Sequence, residues 1–135
     1  MRRSILLVLS SFYEVKLYKQ HIETVIDYLE GEGVVVELDR KAISAYWKSK
    51  HNPLITINTS SRGAKRLYIL LHEAGHHIVY TNKEKLTFLE EEHTAWDYGL
   101  HLAKKLDIGI DESKYWSYAN YHLDAYKKEL LNVAS

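Results

Sequence analysis

The 135-residue chain carries 18 basic and 18 acidic side chains and no cysteine. This length is typical of one domain, since domains most often have about 100–150 residues. The balanced charge gives no sign of a broad nucleic-acid-binding face or of an acidic tail. The lack of cysteine excludes disulfides, cysteine nucleophiles, thiolate zinc sites and iron–sulfur clusters. Any bound metal must therefore be held by His, Asp or Glu.

A short apolar run, residues 5–9, follows Arg2 and Arg3 near the N-terminus. A signal peptide needs about 7–15 apolar residues followed by a cleavage site, and a membrane span needs about 20. The run is too short for a span and lacks the features of a signal peptide. We therefore predict a buried strand over residues 4–9 and a cytoplasmic protein with no membrane partner.

Helical and extended patterns follow one another along the rest of the chain. Ser11 and Glu14 have capping-box spacing, which predicts that the first helix covers about residues 12–30. Asp111 is placed to cap the last helix. The other predicted elements are a strand at 34–38, a hairpin at 43–58 with its return strand at 54–58, and helices at about 64–80, 88–106 and 112–132. These elements predict a single α+β domain over residues 1–135, with a mixed sheet of about three to four strands packed on helices.

The helix at 64–80 contains the H-E-x-x-H pattern, formed by His72, Glu73 and His76. Residues four apart lie one turn apart on a helix, so both imidazoles can reach one ion from a single face. Glu73 is offset around the axis and stands beside that ion, where a carboxylate can take a proton from water. Gly75 costs helix stability relative to alanine, which suggests that something packs closely against the helix there.

A catalytic zinc ion usually has three protein ligands and one water, so a third ligand must come from elsewhere. The next helix opens with Glu90, Glu91 and Glu92. Thr87 and Glu90 have capping-box spacing, which gives Glu90 a structural role. A helical wheel places Glu91 on the flank and points Glu92 into the apolar face, where a carboxylate is costly unless it is paired or bound to metal. We therefore predict that Glu92 is the third ligand.

A competing metal site is His93, Asp97 and His101, which recur at helical spacing on the polar side of the same helix. This arrangement more often forms a solvated face with His–Asp pairing. Asp97 also remains a reserve candidate, either as a ligand or as a partner for a zinc-bound imidazole. His77 is turned about 100° from His76, which favours packing or surface exposure over ligation.

Several of these segments together resemble the ImmA/IrrE-type metallopeptidases, which are small intracellular zincins common in bacteria, phages and mobile elements. The resemblance covers residues 40–106, and it is carried by the Ile55-Thr56-Ile57-Asn58 strand, the segment Lys65–His77 and the sequence Glu92-His93-Thr94-Ala95. Thermolysin-like zincins place an Asp four residues after the ligand Glu. This chain has Trp96 there, and Asp97 comes one residue later.

The resemblance implies a zincin-like minimal domain that binds one Zn²⁺ through His72, His76 and Glu92. It implies Glu73 as the catalytic base and the strand Leu54–Asn58 as the element beside which substrate lies. The mechanism also needs a group to stabilise the developing oxyanion. The candidates lie on the last helix: His122, Tyr115, Tyr118, Tyr121 and Tyr126.

The predicted activity is zinc-dependent hydrolysis of peptide bonds in an intracellular protein substrate. Strand 54–58 is expected to be an exposed edge strand, to which an extended peptide could add. The alternative is a non-catalytic module that keeps the zincin fold and binds a regulatory protein. Nucleic-acid binding has only scattered support, in Arg62, Lys65 and Arg66, and no nucleic-acid partner is predicted.

Overall fold

The computed structural model describes residues 2–134, with the side chains of residues 16–133. It is an α+β fold of four helices and one three-stranded mixed sheet, which confirms the predicted fold class. The elements in chain order are α1 (Arg2–Gly31), β1 (Val35–Asp39), β2 (Ala45–Trp47), β3 (Leu54–Asn58), α2 (Ala64–Thr81), α3 (Phe88–Lys105) and α4 (Glu112–Ala134).

The first helix is longer than expected. It begins at Arg2, so the strand predicted at residues 4–9 is wrong, and Ser11 and Glu14 lie within the helix rather than at its start. A short apolar run is compatible with either a strand or a buried helix, and hydrophobic periodicity alone does not distinguish them. Here the run continues the helix that was predicted from residue 12.

The strands lie in the order β1-β3-β2. β1 pairs with β3 in parallel and β2 pairs with it antiparallel, so the predicted hairpin is confirmed. The expectation that residues 54–58 form an exposed edge is wrong, because β3 is the central strand. Its Ile55 and Ile57 are fully buried in the core. β1 and β2 are the edges, and β2 is three residues long.

Helices α2 and α3 approach each other at two glycines. A Cβ built on Gly75 would lie 1.9 Å from the backbone oxygen of Ala95, and one built on Gly99 would lie 2.5 Å from that of Leu71. Backbone contact of this kind requires that neither position carry a side chain. The close packing expected at Gly75 is therefore confirmed, and these two contacts set the spacing of the helices.

The predicted caps hold the ends of two helices. The Thr87 hydroxyl accepts a hydrogen bond from the Glu90 backbone N–H, and the Asp111 carboxylate accepts one from the Lys114 N–H. Each bond satisfies a donor that the first helical turn leaves free. None of the helices in the described part of the chain is long and apolar enough to cross a membrane.

Candidate metal centre

His72 and His76 project from the same face of α2 into the interior. Their ring centroids are 4.6 Å apart, and their Nε2 atoms are 3.2 Å apart. The helix holds them there because Leu67, Leu70 and Leu71 are buried on its core side. His72 is itself only 8% exposed. The predicted convergence of the two imidazoles is present.

Glu92 reaches the same point from α3. Its Oε2 lies 3.1 Å from Nε2 of His72, and its Oε1 lies 3.3 Å from Nε2 of His76. The carboxylate is buried, as the helical wheel predicted, and the close approach of Gly75 to Ala95 brings it within reach. His72, His76 and Glu92 form a group whose potential ligand atoms all lie within 4.8 Å of one another.

The separations between these atoms are close to those between neighbouring ligand atoms of a metal ion. Zinc binds imidazole nitrogen and carboxylate oxygen at about 2.0–2.2 Å, so two ligand atoms of a tetrahedron lie about 3.3 Å apart. The two imidazole Nε2 atoms are 3.2 Å apart, and each lies close to a different oxygen of Glu92, Nε2 of His72 at 3.1 Å from Oε2 and Nε2 of His76 at 3.3 Å from Oε1. Moreover, Oε2 of Glu92 is buried without a hydrogen-bond partner of suitable geometry. The residues therefore fit a metal ion that would sit between them.

The charge states of the cluster also suit a metal. Burial lowers the pKa of His72 to about 4, which keeps its imidazole neutral at pH 7. Burial opposes ionisation of Glu92, but its close contacts with the imidazoles of His72 and His76 outweigh burial and lower the pKa of Glu92 to about 2. Metal ligands must be deprotonated imidazole and carboxylate. Two of the three ligand candidates are thus in binding-competent forms at neutral pH.

Glu73 lies beside the cluster and is not one of its three members. Its side chain is buried, and burial raises its pKa from the ordinary 4.5 to about 7. A carboxylate with a pKa near the working pH is suited to take up and release a proton. Glu73 and His72 line two small cavities, of about 140 and 260 Å³, that open beside the ligand candidates.

Glu91 makes a contact that the sequence reasoning missed. Its Oε2 lies 2.8 Å from Nδ1 of His76, on the side of the ring away from the cluster. Such a carboxylate fixes the tautomer of a metal-binding imidazole, with Nδ1–H donating outward and Nε2 facing the metal. The signal in the sequence was the position of Glu91 next to a ligand candidate, on the flank of α3 that faces α2.

Trp96 lies beside the imidazole of His72. It occupies the position four residues after Glu92 and stacks on the ring of His72, with centroids 4.0 Å apart and planes 20° apart. Nδ1 of His72 is buried without a hydrogen-bond partner. Here His72 is oriented by an aromatic surface rather than by a carboxylate.

The competing site on α3 does not assemble. Asp97 lies 3.7 Å from His101 in an exposed pair, and His93 stacks on Trp116 instead. Asp97, the reserve candidate, is not among the residues that converge on His72, since its carboxylate lies at the surface beside His101. The preference for a packing role of His77 is confirmed, since His77 is buried and its Nδ1 shares a 2.8 Å hydrogen bond with the hydroxyl of Tyr46.

Two of the oxyanion candidates reach the cavities. His122 and Tyr126 line the smaller cavity together with His72 and Glu73, and Tyr126 also lines the larger one. Nε2 of His122 is buried without a partner. Burial and the charges of Glu92 and Glu73 raise the pKa of Tyr126, so its hydroxyl stays protonated.

The other three tyrosines of α4 line neither cavity. Tyr115 is fully buried, and its hydroxyl donates to the backbone oxygen of Trp96. Tyr118 packs against Tyr68, and Tyr121 is 72% exposed. Of the four tyrosines on α4, only Tyr126 therefore lies beside the candidate metal centre.

The strand expected to carry substrate is also displaced from the cavities. β3 is paired on both sides, and none of the residues Leu54–Asn58 lines either cavity. The larger cavity is lined instead by Ala45 and Tyr46 of β2, together with Ser44 and Lys48 that flank this strand. The sheet edge nearest the ligand candidates is therefore β2.

Comparisons with family models, with curated proteins and with solved structures find no match for this chain.

Proposed function

We propose that this protein is a zinc-dependent peptidase of the ImmA/IrrE type that cleaves an intracellular protein. The observation that carries the proposal is the convergence of His72, His76 and Glu92, whose potential ligand atoms all lie within 4.8 Å of one another, beside the buried carboxylate of Glu73. The resemblance of the motif and its flanks to that family supports the choice of peptide bonds as substrate. Three protein ligands are the number that catalytic zinc sites usually have.

In this proposal His72, His76 and Glu92 hold the ion, and Glu91 orients His76. When bound, zinc supplies a water of lowered pKa and a Lewis acid for the scissile carbonyl. Glu73 accepts the proton of the attacking water on its carboxylate and passes it to the leaving amine. In the metal-free protein burial already raises the pKa of this carboxyl from 4.5 to about 7, towards the range that suits a group that accepts and returns a proton.

The cavities give the remaining groups their roles. An extended peptide pairs with the free edge of β2, which borders the larger cavity, by the main-chain bonds of strand addition. Tyr126 donates its hydroxyl proton to the oxygen that gains negative charge, and His122 can add a second donor. Donors already in place when charge develops are worth about 3–4 kcal/mol each in known oxyanion holes.

The test combines metal analysis with proteolysis. Purified protein is expected to contain about one zinc per chain and to cleave a denatured protein substrate, with cleavage lost in a chelator and restored by zinc. Glu73→Gln should abolish cleavage and keep the zinc. Glu90→Gln is the matched control, because Glu90 is exposed on the same helix as Glu92 and should change neither property.

Two results would contradict the proposal. Loss of zinc in Glu73→Gln would make Glu73 a ligand rather than the base. A protein that binds zinc fully but cleaves no denatured substrate would favour the non-catalytic binding module instead.

A further inference from the structure

A cleft that is distinct from the two cavities at the metal centre lies between the end of β1 and the start of α2. It has a volume of about 440 Å³ and is lined by Arg40, Arg62, Arg66, Thr59 and Ser60. Among the side chains that the structure describes, those of residues 16–133, none that lines the cleft is acidic. The three guanidinium groups and two hydroxyls are all hydrogen-bond donors, so the cleft offers donors and positive charge to whatever occupies it.

The distribution of arginine makes this cleft unusual within the chain. The sequence has thirteen lysines and five arginines, and the other two arginines are Arg2 and Arg3. Every arginine side chain that the structure describes therefore lies in the cleft. Among the described ion pairs, none involves Arg40, Arg62 or Arg66. Arginine is the residue that binds oxyanions through two parallel bonds, whereas lysine acts as a point charge.

One of the three arginines is held in place. Nε of Arg66 donates to the backbone oxygen of Ser61 and its Nη2 to that of Thr59, each at 2.8 Å. These bonds fix the guanidinium, and no hydrogen bond from its Nη1 is present among the described residues. Arg40 and Arg62 are exposed and can close on a ligand.

The cleft adjoins an apolar groove. The groove has a volume of about 500 Å³ and shares Arg62 and Arg66 with the cleft. Its walls include Tyr18, Ile22 and Leu38, and Leu38 is 47% exposed. A ligand that fits both parts has a compact anionic group joined to an apolar body.

We propose that the cleft binds a phosphate monoester whose apolar part lies in the adjoining groove. A phosphate monoester carries nearly two negative charges and three acceptor oxygens, which match three guanidiniums better than one carboxylate does. An extended polyanion such as nucleic acid is disfavoured, because it would leave the apolar groove empty and the chain has no net positive charge.

Calorimetric titration at constant ionic strength tests the proposal, with inorganic phosphate, phenyl phosphate and phenol as probes. Phenyl phosphate should half-saturate the protein below about 1 mM, several-fold more tightly than inorganic phosphate, and phenol should not bind. Arg62→Gln should weaken both phosphates about tenfold, the loss expected for charge-assisted hydrogen bonds. The matched control is Lys65→Gln, an exposed charge outside the lining, which should change affinity by less than about twofold.

Leu38→Ala separates the two parts of the site. It should remove the preference for phenyl phosphate and leave inorganic phosphate binding unchanged. If Arg62→Gln and the wild-type protein bound the two phosphates with equal affinity, the proposal would be overturned. The phosphate would then bind elsewhere, for example at the cluster of His72, His76 and Glu92. Binding of a DNA duplex through the same arginines, without binding of phenyl phosphate, would also overturn it.

Discussion

Adding a single methyl group at Gly75 should separate α2 from α3. The Cβ of Gly75→Ala would lie 1.9 Å from the backbone oxygen of Ala95, and real Cβ atoms essentially never come closer than 3.0 Å to a non-bonded atom of another part of the chain. The helices must therefore move apart by about 1 Å. The atom that it meets belongs to the backbone, so no side chain can rotate away. Overpacking of this kind costs about 1–3 kcal/mol or more, and we expect a loss of about 3 kcal/mol.

Two further glycines provide a graded series. A Cβ at Gly99 would lie 2.5 Å from the backbone oxygen of Leu71, a smaller overlap, so Gly99→Ala should cost less than Gly75→Ala. Gly31 ends α1 with nothing within 4 Å, and Gly31→Ala should be neutral or stabilise the protein by up to about 1 kcal/mol. Urea unfolding of the metal-free proteins measures all three.

The same displacement should weaken metal binding. His76 and Glu92 lie on the two helices that move, and metal–ligand distances tolerate only about 0.2 Å. Gly75→Ala should therefore bind zinc more weakly than Gly31→Ala in a chelator competition. If Gly75→Ala proved as stable as Gly31→Ala and bound zinc equally well, backbone contact between α2 and α3 would not define the site.

Three other changes test individual groups of the centre. Glu91→Gln should weaken zinc binding about 10–100-fold in a chelator competition, because the carboxylate that orients His76 is lost. Glu90→Gln should leave the zinc affinity unchanged. If the two variants bound zinc equally well, Glu91 would have no role in orienting His76. Glu92→Ala should lose zinc altogether, and a fully metallated variant would refute ligation by Glu92. In the metal-free protein, burial raises the pKa of Glu73 from 4.5 to about 7. The folded state therefore binds this proton more tightly than the unfolded state does. As a result, the contribution of Glu73 to the free energy of unfolding falls as the pH rises from 4.5 to 7. The stability of Glu73→Gln relative to wild type should therefore increase from pH 4.5 to pH 8 by roughly 3 kcal/mol in urea unfolding, and a pH-independent difference would contradict this pKa.

The sequence was sufficient for those parts of the fold that depend on local pattern. Helices α2 and α3 were predicted from the period of their apolar residues, and the Thr87 and Asp111 caps follow from their own neighbours. Residues 4–9 were misassigned because five apolar residues in a row fit a buried strand or a buried helix equally well.

The order of the strands in the sheet does not follow from local sequence pattern. Whether β3 lies at the centre or the edge depends on its pairing with β1, which is separated from it along the chain by β2 and two loops. Hydrophobic pattern shows which residues of a strand are buried but does not name its neighbours. For this reason the substrate-binding edge was assigned to residues 54–58 when the free edge near the site is β2.

In the candidate site, likewise, the residues whose positions follow from local pattern are predictable from the sequence, and those that depend on helix packing are not. His72 and His76 were paired by helix geometry alone, and Glu92 by the cost of burying an unpaired carboxylate. The bond of Glu91 to His76 depends on how closely two helices cross, and Gly75 indicated a close contact without naming the partner. Asp97 was considered because of its place in the sequence, but its side chain points to the surface.

The three metal-binding candidates belong to two consecutive helices, α2 and α3, which also form part of the walls of the adjoining cavities; the remaining wall residues come from β2 with its flanking residues and from α4. In the proposed peptidase, the metal ligands are thus carried by elements other than the hairpin and the last helix. Insertions or exchanges in the hairpin or the last helix could alter which molecules enter without disturbing coordination. An engineer who wished to redirect this protein would leave the helical pair intact and vary its surroundings.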